Sequence, residues 1–184
     1  MEKSVSFPLV MKTTTVITLA LTAGFVWLYR YFPAGWILSA AISAGTTCYH
    51  FAMRLVVGTI VPYWVKNPMK YRWFQQKPFE AKFYAALKVK HWKDRMPTYD
   101  PKAFDPKYHT WDEIAQATCQ AETVHEVIIL LSFLPLLAAI PFGSFGVFLL
   151  TSLAAALYDL TFVIMQRYNR PRIIRLIEKE RTVK

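Results

Sequence analysis

A few ionisable and amide side chains stand inside otherwise apolar stretches, and these are where chemistry can occur. His50 and Arg54 are four residues apart and Glu122 and His125 are three apart, so each pair shares one helical face. Asp159 ends a long uncharged run, and Gln166, Arg167, Asn169, Arg170 and Arg172 follow it closely. A histidine beside a carboxylate can move a proton, and arginines with amides can hold an oxyanion or a phosphate. Each group also has a plainer reading. Arg54 and Arg167 suit snorkelling to headgroups. His50 suits a neutral hydrogen bond to a neighbouring helix, and Glu122–His125 an ordinary pair at a helix start. Asp159 is the hardest to set aside, because a lone carboxylate among apolar residues needs a partner. Arg54 and Arg170 are the candidates for that salt bridge.

The elements that must carry these residues are long and apolar. Residues 31–53 and 127–158 contain no Asp, Glu, Lys or Arg, and a helix of about 20 apolar residues crosses a bilayer. The second run is too long for one crossing, and Pro141-Phe142-Gly143-Ser144-Phe145-Gly146 reads as a turn within it. The expected spans are 13–29, 36–54, 124–140 and 146–165. Lys3 and Lys12 precede the first, as in a signal peptide, but no small-x-small cleavage site follows, so the segment is expected to remain as a span. Residues 55–65 continue the second helix with a kink or lie along the interface. Thr110 with Glu113 three residues on forms a capping box that starts the third helix. The expected fold is an all-α integral membrane protein of four transmembrane helices plus a cytoplasmic amphipathic, interfacial segment, with residues 1–184 as one membrane domain.

Charge sets the expected direction. Residues 66–95 hold nine Lys and Arg, and the tail 167–184 holds seven, whereas the turns at 30–35 and 141–146 hold one and none. Four spans put both basic regions and both termini on one side, and the positive-inside rule makes that side cytoplasmic. The location predicted is the cell membrane, multi-pass. Within the basic loop 66–111, Phe79, Phe83 and Leu87 recur at helical spacing among lysines, which suits an amphipathic helix at the headgroups. The net charge of +10 comes with no nucleic-acid recognition motif, so anionic headgroups or a phosphorylated substrate are the expected partners and nucleic acid is not. Cys48 and Cys119 form no CxxC pair and no disulfide framework; each reads as a small buried apolar residue, with a catalytic thiol at Cys119 the alternative. The four histidines form neither HExxH nor a Cys/His cluster, so no metal site is expected.

Four segments carry a resemblance. They are Tyr49-His50-Phe51-Ala52-Met53-Arg54, Lys90-His91-Trp92-Lys93-Asp94-Arg95-Met96-Pro97, Ala121-Glu122-Thr123-Val124-His125-Glu126 and Gln166-Arg167-Tyr168-Asn169-Arg170-Pro171-Arg172. Over about residues 46–176 the chain resembles the glycosyl-4,4'-diaponeurosporenoate acyltransferase family. The W-K-x-R-x-P, E-T-x-H and Y-N-R-P-R elements are the most specific parts of the likeness. It implies a small bacterial membrane enzyme that esterifies a sugar hydroxyl with a fatty acyl chain late in a glycosylated carotenoid pathway.

Acyl transfer to a hydroxyl needs a base, donors for an oxyanion and a grip on the carrier. On that footing His125, oriented by Glu122, is the expected base and His50 the runner-up. Asn169 and Arg170, with Arg172, Arg54 and Asp159 nearby, are expected to contact the oxyanion or the carrier. Lys93 and Arg95 suit the phosphates of acyl-CoA or an acyl carrier protein, and Trp92 suits positioning lipid at the interface. No bound cofactor is expected. The acceptor is a lipid or glycolipid hydroxyl, and so small a chain suits a homodimer. Two other readings use the same residues: a non-enzymatic lipid-binding or assembly protein, and a lipid hydrolase that uses water as acceptor.

Overall fold

The computed structural model describes residues 7–66 and 68–183; Lys3 and Lys184, counted above, lie outside them. All regular elements among the described residues are helical. The first, α1 (Phe7–Tyr31), turns at Phe32-Pro33-Ala34 into α2 (Gly35–Trp64). The two lie antiparallel at close range: Cys48 Sγ is 3.8 Å from the Thr15 carbonyl, and Gly45 sits where an added Cβ would be 3.4 Å from the Thr22 methyl. Small residues at such contacts let helix backbones approach in lipid. Polar residues within these helices are satisfied locally. Thr15, Thr18 and Thr22 on α1, and Ser39, Ser43, Thr47 and Thr59 on α2, each donate to the carbonyl four residues back.

The second helix passes through Pro62 and ends at Trp64. The freed carbonyls of Pro62 and Val65 accept from the Gln120 amide at 3.4 and 3.1 Å, which closes a helix end that would otherwise be open. The chain then crosses the end of the bundle as a strap of short 3-10 pieces with α3 (Glu80–Ala86) and α4 (Val89–Trp92). The strap is anchored by buried Pro68, Glu80, Tyr84 and Val89, while Phe79, Phe83 and Leu87 face outward. Burial, with the Glu80 carboxylate beside it, pushes the Tyr84 hydroxyl above its ordinary range, so it remains protonated.

Thr110 then caps α5 (Trp111–Leu131), with its hydroxyl accepting from the Glu113 N–H and its own N–H donating to the Glu113 carboxylate. The α-ladder stops before Pro135, which has no N–H to give, and a 3-10 turn at Leu134–Ala138 leads into α6 (Ala139–Phe142). The turn itself is tighter than its composition suggests: only Gly143 and Ser144 leave the helices, both at positive φ. The last helix, α7 (Phe145–Val183), spans 39 residues, about 58 Å at 1.5 Å per residue. The expected fourth span and the basic tail are therefore one rod.

Three helical stretches, Phe7–Tyr31, Trp111–Phe142 and Phe145–Thr182, are long and apolar enough to cross a membrane. The second helix is long enough, but its hydroxyls, His50 and Arg54 lower its hydropathy. It packs antiparallel to α5 through Met53, Val57, Val61 and Ile128, and Tyr49 donates to the Leu131 carbonyl at 2.7 Å. Further along, Ile114 and Ala115 of α5 meet Ile173 and Ile177 of α7. Among the buried positions of α7, Ser152, Ala156, Asp159, Val163, Gln166, Arg170, Ile173 and Ile177 follow alternating steps of four and three, the seam of a left-handed helix pair, and Phe148, Phe162 and Met165 are buried as well.

Gly143 has φ +69 and open space where a Cβ would stand, so its requirement is purely backbone. Gly143→Ala should destabilise the protein by about 1–3 kcal/mol, whereas Ser144→Gly should leave stability unchanged or raised. Thermal unfolding in detergent tests both; equal midpoints for wild type and Gly143→Ala would remove the strained turn from the account.

Candidate active site

Charged side chains of α2, α5 and α7 meet, but they sort into two clusters at different levels along α7. The first centres on Asp159 of α7, 1% exposed. Its Oδ2 accepts a short bond from Arg54 of α2, and its Oδ1 lies 2.8 Å from His125 Nδ1 of α5. Arg54 also donates to the His50 carbonyl at 2.8 Å. The imidazole of His125 stacks on Phe162, with centroids 4.5 Å apart and planes 6° from parallel. Asp159 thus fixes Nδ1 and Phe162 fixes the ring plane, leaving Nε2 with no protein partner among the described residues. The side chain is 21% exposed, so that nitrogen is open to a reactant.

The second cluster lies toward the strap. Glu122 is fully buried and accepts from Arg170 Nη2 at 2.5 Å, while its other oxygen lies 3.5 Å from Arg167 Nε. Arg170 also donates to Thr118 Oγ1 at 3.1 Å and to the Phe74 carbonyl at 3.0 Å. Arg167 pairs with Glu80 at 3.2 Å and donates to the Trp73 carbonyl, and Trp73 Nε1 donates to Glu126 at 2.9 Å. This network ties the strap to α5 and α7. No hydrogen bond or ion pair joins the two clusters among the described residues.

Several expectations are corrected by this division. Glu122 does not orient His125; two arginines hold it, and Asp159 takes the orienting role instead of a carrier contact. Arg170 is 2% exposed and fully engaged with Glu122, Thr118 and Phe74, so it is structural and not available to a substrate. Arg54 does not snorkel; it neutralises Asp159. Arg167 likewise serves the strap network. His50 is 8% exposed, and neither ring nitrogen has a hydrogen-bond partner.

Of the residues expected to bind substrate, Lys93, Asn169 and Arg172 line one cavity of about 480 Å³ between the strap and α7. Thr118 and Trp111 of α5 line it as well, and so does Met165, three residues beyond Phe162 on α7. Trp92 and Arg95 stand outside this lining, with Trp92 donating to the Leu87 carbonyl at 3.1 Å. Lys93 Nζ is 2.6 Å from Asp94. Sequence reasoning missed Phe162 and gave Gln166 no role, although Gln166 lines the cavity.

The sequence pattern of the glycosyl-4,4'-diaponeurosporenoate acyltransferase family, CrtO, matches residues 70–179, more than half of the chain. The protein belongs to this acyltransferase family. It is thus an enzyme of acyl transfer, in a family of carotenoid biosynthesis. The match contains His125, Asp159, the strap network and the cavity. It begins after Tyr49–Arg54, so the likeness is shorter at its start than the quoted segments suggest, and the arginine on Asp159 comes from outside the matched region. No curated protein and no solved structure matches the chain.

Removing Arg170 leaves Glu122 buried without its main partner. Arg170→Met should destabilise the acyltransferase by about 3–5 kcal/mol, and adding Glu122→Leu should recover much of the loss, because replacing both members of a buried pair is often neutral. Unfolding midpoints of the single and double variants test this. A double variant less stable than Arg170→Met would contradict the pairing.

Proposed function

We propose that the protein transfers a fatty acyl group from a thioester carrier, acyl-CoA or an acyl carrier protein, to a hydroxyl of a lipid or glycosylated isoprenoid in the membrane. The observation that carries this reading is the His125–Asp159 pair, with its free Nε2 beside an apolar, membrane-length helix. In the proposed step, Nε2 takes the proton of the acceptor hydroxyl while its oxygen attacks the thioester carbonyl carbon. A tetrahedral intermediate forms, the C–S bond breaks, and the leaving thiolate takes the proton back from the imidazolium. The products are an ester and a free thiol. Asp159 holds the imidazole in one tautomer and stabilises its charged form, and Arg54 pairs with the other carboxylate oxygen.

The basic strap and the basic half of α7 lie at the same end of the bundle, which favours placing that end in the cytoplasm. A carrier would then enter from the cytoplasm and the acceptor from the bilayer. Family chemistry favours transfer over a purely lipid-binding role. Hydrolysis remains the competing use of the same histidine, and release of fatty acid without added acceptor is its signature.

With purified protein, labelled acyl-CoA and a membrane lipid extract, His125→Ala should lower kcat by about 10²–10⁴-fold with the fold retained. Asp159→Asn should also lower kcat, with little change in the donor KM, because the residue acts through His125. Near-normal turnover in His125→Ala would remove it as the base.

A further inference from the structure

The cavity beside α7 holds a feature that proton transfer at His125 does not use. Gln166 is 6% exposed and lines the cavity, yet its amide makes no hydrogen bond with any described residue. An amide on a largely buried residue that finds no protein partner yet is not sealed off is open to whatever enters the cavity. Asn169 and Arg172 line the same wall and also make no hydrogen bond or ion pair among the described residues. The three stand at steps of three along α7, so they form a ladder rising about 4.5 Å per rung. Lys93 lines the cavity too, paired with Asp94 at 2.6 Å, and Trp111 and Ile114 supply apolar surface.

We propose that this cavity binds the 4'-phosphopantetheine arm of the acyl donor. The phosphate lies at Arg172 and Lys93, the two amides of the arm pair with Asn169 and Gln166, and the thioester end points along α7 toward Phe162 and His125. The order amide, amide, cation on the helix repeats the order amide, amide, phosphate along the arm. From Asp159 to Arg172 the helix rises about 20 Å, a distance an extended arm is suited to bridge. A cavity of about 480 Å³ takes the arm and leaves an adenine nucleotide or a carrier protein at its mouth. Coenzyme A and acyl carrier protein present the same arm, so the site is assigned to their shared chemistry. The proposal rests on the acyl-transfer reading above and adds where the donor sits.

The test is calorimetric titration of the full chain in phosphatidylcholine nanodiscs with 4'-phosphopantetheine, coenzyme A, adenosine 3',5'-bisphosphate and inorganic phosphate. The first two should bind with similar Kd and the last two should not bind. Similar Kd for the first two makes the arm the recognised group; coenzyme A binding alone would move recognition to the nucleotide and overturn the proposal. Gln166→Leu, Asn169→Leu and Arg172→Gln should each weaken binding of the arm about tenfold or more, about 1.4 kcal/mol, and raise the donor KM while kcat is largely kept. Arg172 is exposed, so Arg172→Gln carries the test even if a buried variant fails to fold. Wild-type affinity in all three variants would overturn the assignment. So would loss of arm binding on changing to phosphatidylglycerol nanodiscs, which would give the cavity to a lipid headgroup. His125→Ala should bind the arm normally. Intact binding with no loss of turnover in that variant would overturn the base and leave the cavity standing, so the two failures are distinguishable.

Discussion

A carboxylate on an apolar, membrane-length helix must be neutralised, and Asp159 meets that demand with one group from each of two other helices. Arg54 supplies the charge and His125 the second bond. The cost of burying an ion in a low-dielectric setting is several kcal/mol, and only well-formed partners offset it. The positions of α2, α5 and α7 relative to one another are therefore bound up with one side chain. The same constraint leaves the histidine with one nitrogen committed and the other open, so the structural demand at Asp159 and the proposed base role of His125 rest on one contact.

The second cluster has a different character. Glu122, Arg167, Arg170 and Glu80 are spent on one another and on strap carbonyls. They hold the strap between α2 and α5, of mixed aromatic and basic character, against the helix ends, where the cavity forms beside it. Outward-facing Phe79, Phe83 and Leu87 give the strap an apolar exterior, in keeping with a position at the headgroup boundary. The cavity and the apolar exterior of the strap are thus held in place by a network whose members are spent on one another.

Much of the helical plan was legible from composition, because uncharged runs and the Thr110–Glu113 box are local signals. The two-cluster division was not, since it depends on which helices meet. Glu122 and His125 look like partners along α5, yet each finds its partner on α7. One clue was present in the chain: Asp159 and Arg170 fall on the alternating four-three seam of α7, whereas Asn169 and Arg172 fall beside it; Gln166 is the exception, a seam residue that also lines the cavity. Seam positions face another helix, and flanking positions can face a cavity. That distinction separates the structural Arg170 from the available Arg172, but it requires knowing that α7 continues unbroken through Pro171 to Val183.

The continuity of α7 has a genetic corollary. Along a single helix each inserted or deleted residue shifts everything beyond it by about 1.5 Å and turns it by about 100°. Between Asp159 and Arg172 even one such change would swing the amides away from the cavity and turn Arg170 from its carboxylate. A change of length in this segment is accordingly expected to disturb the structure more than a change of residue type.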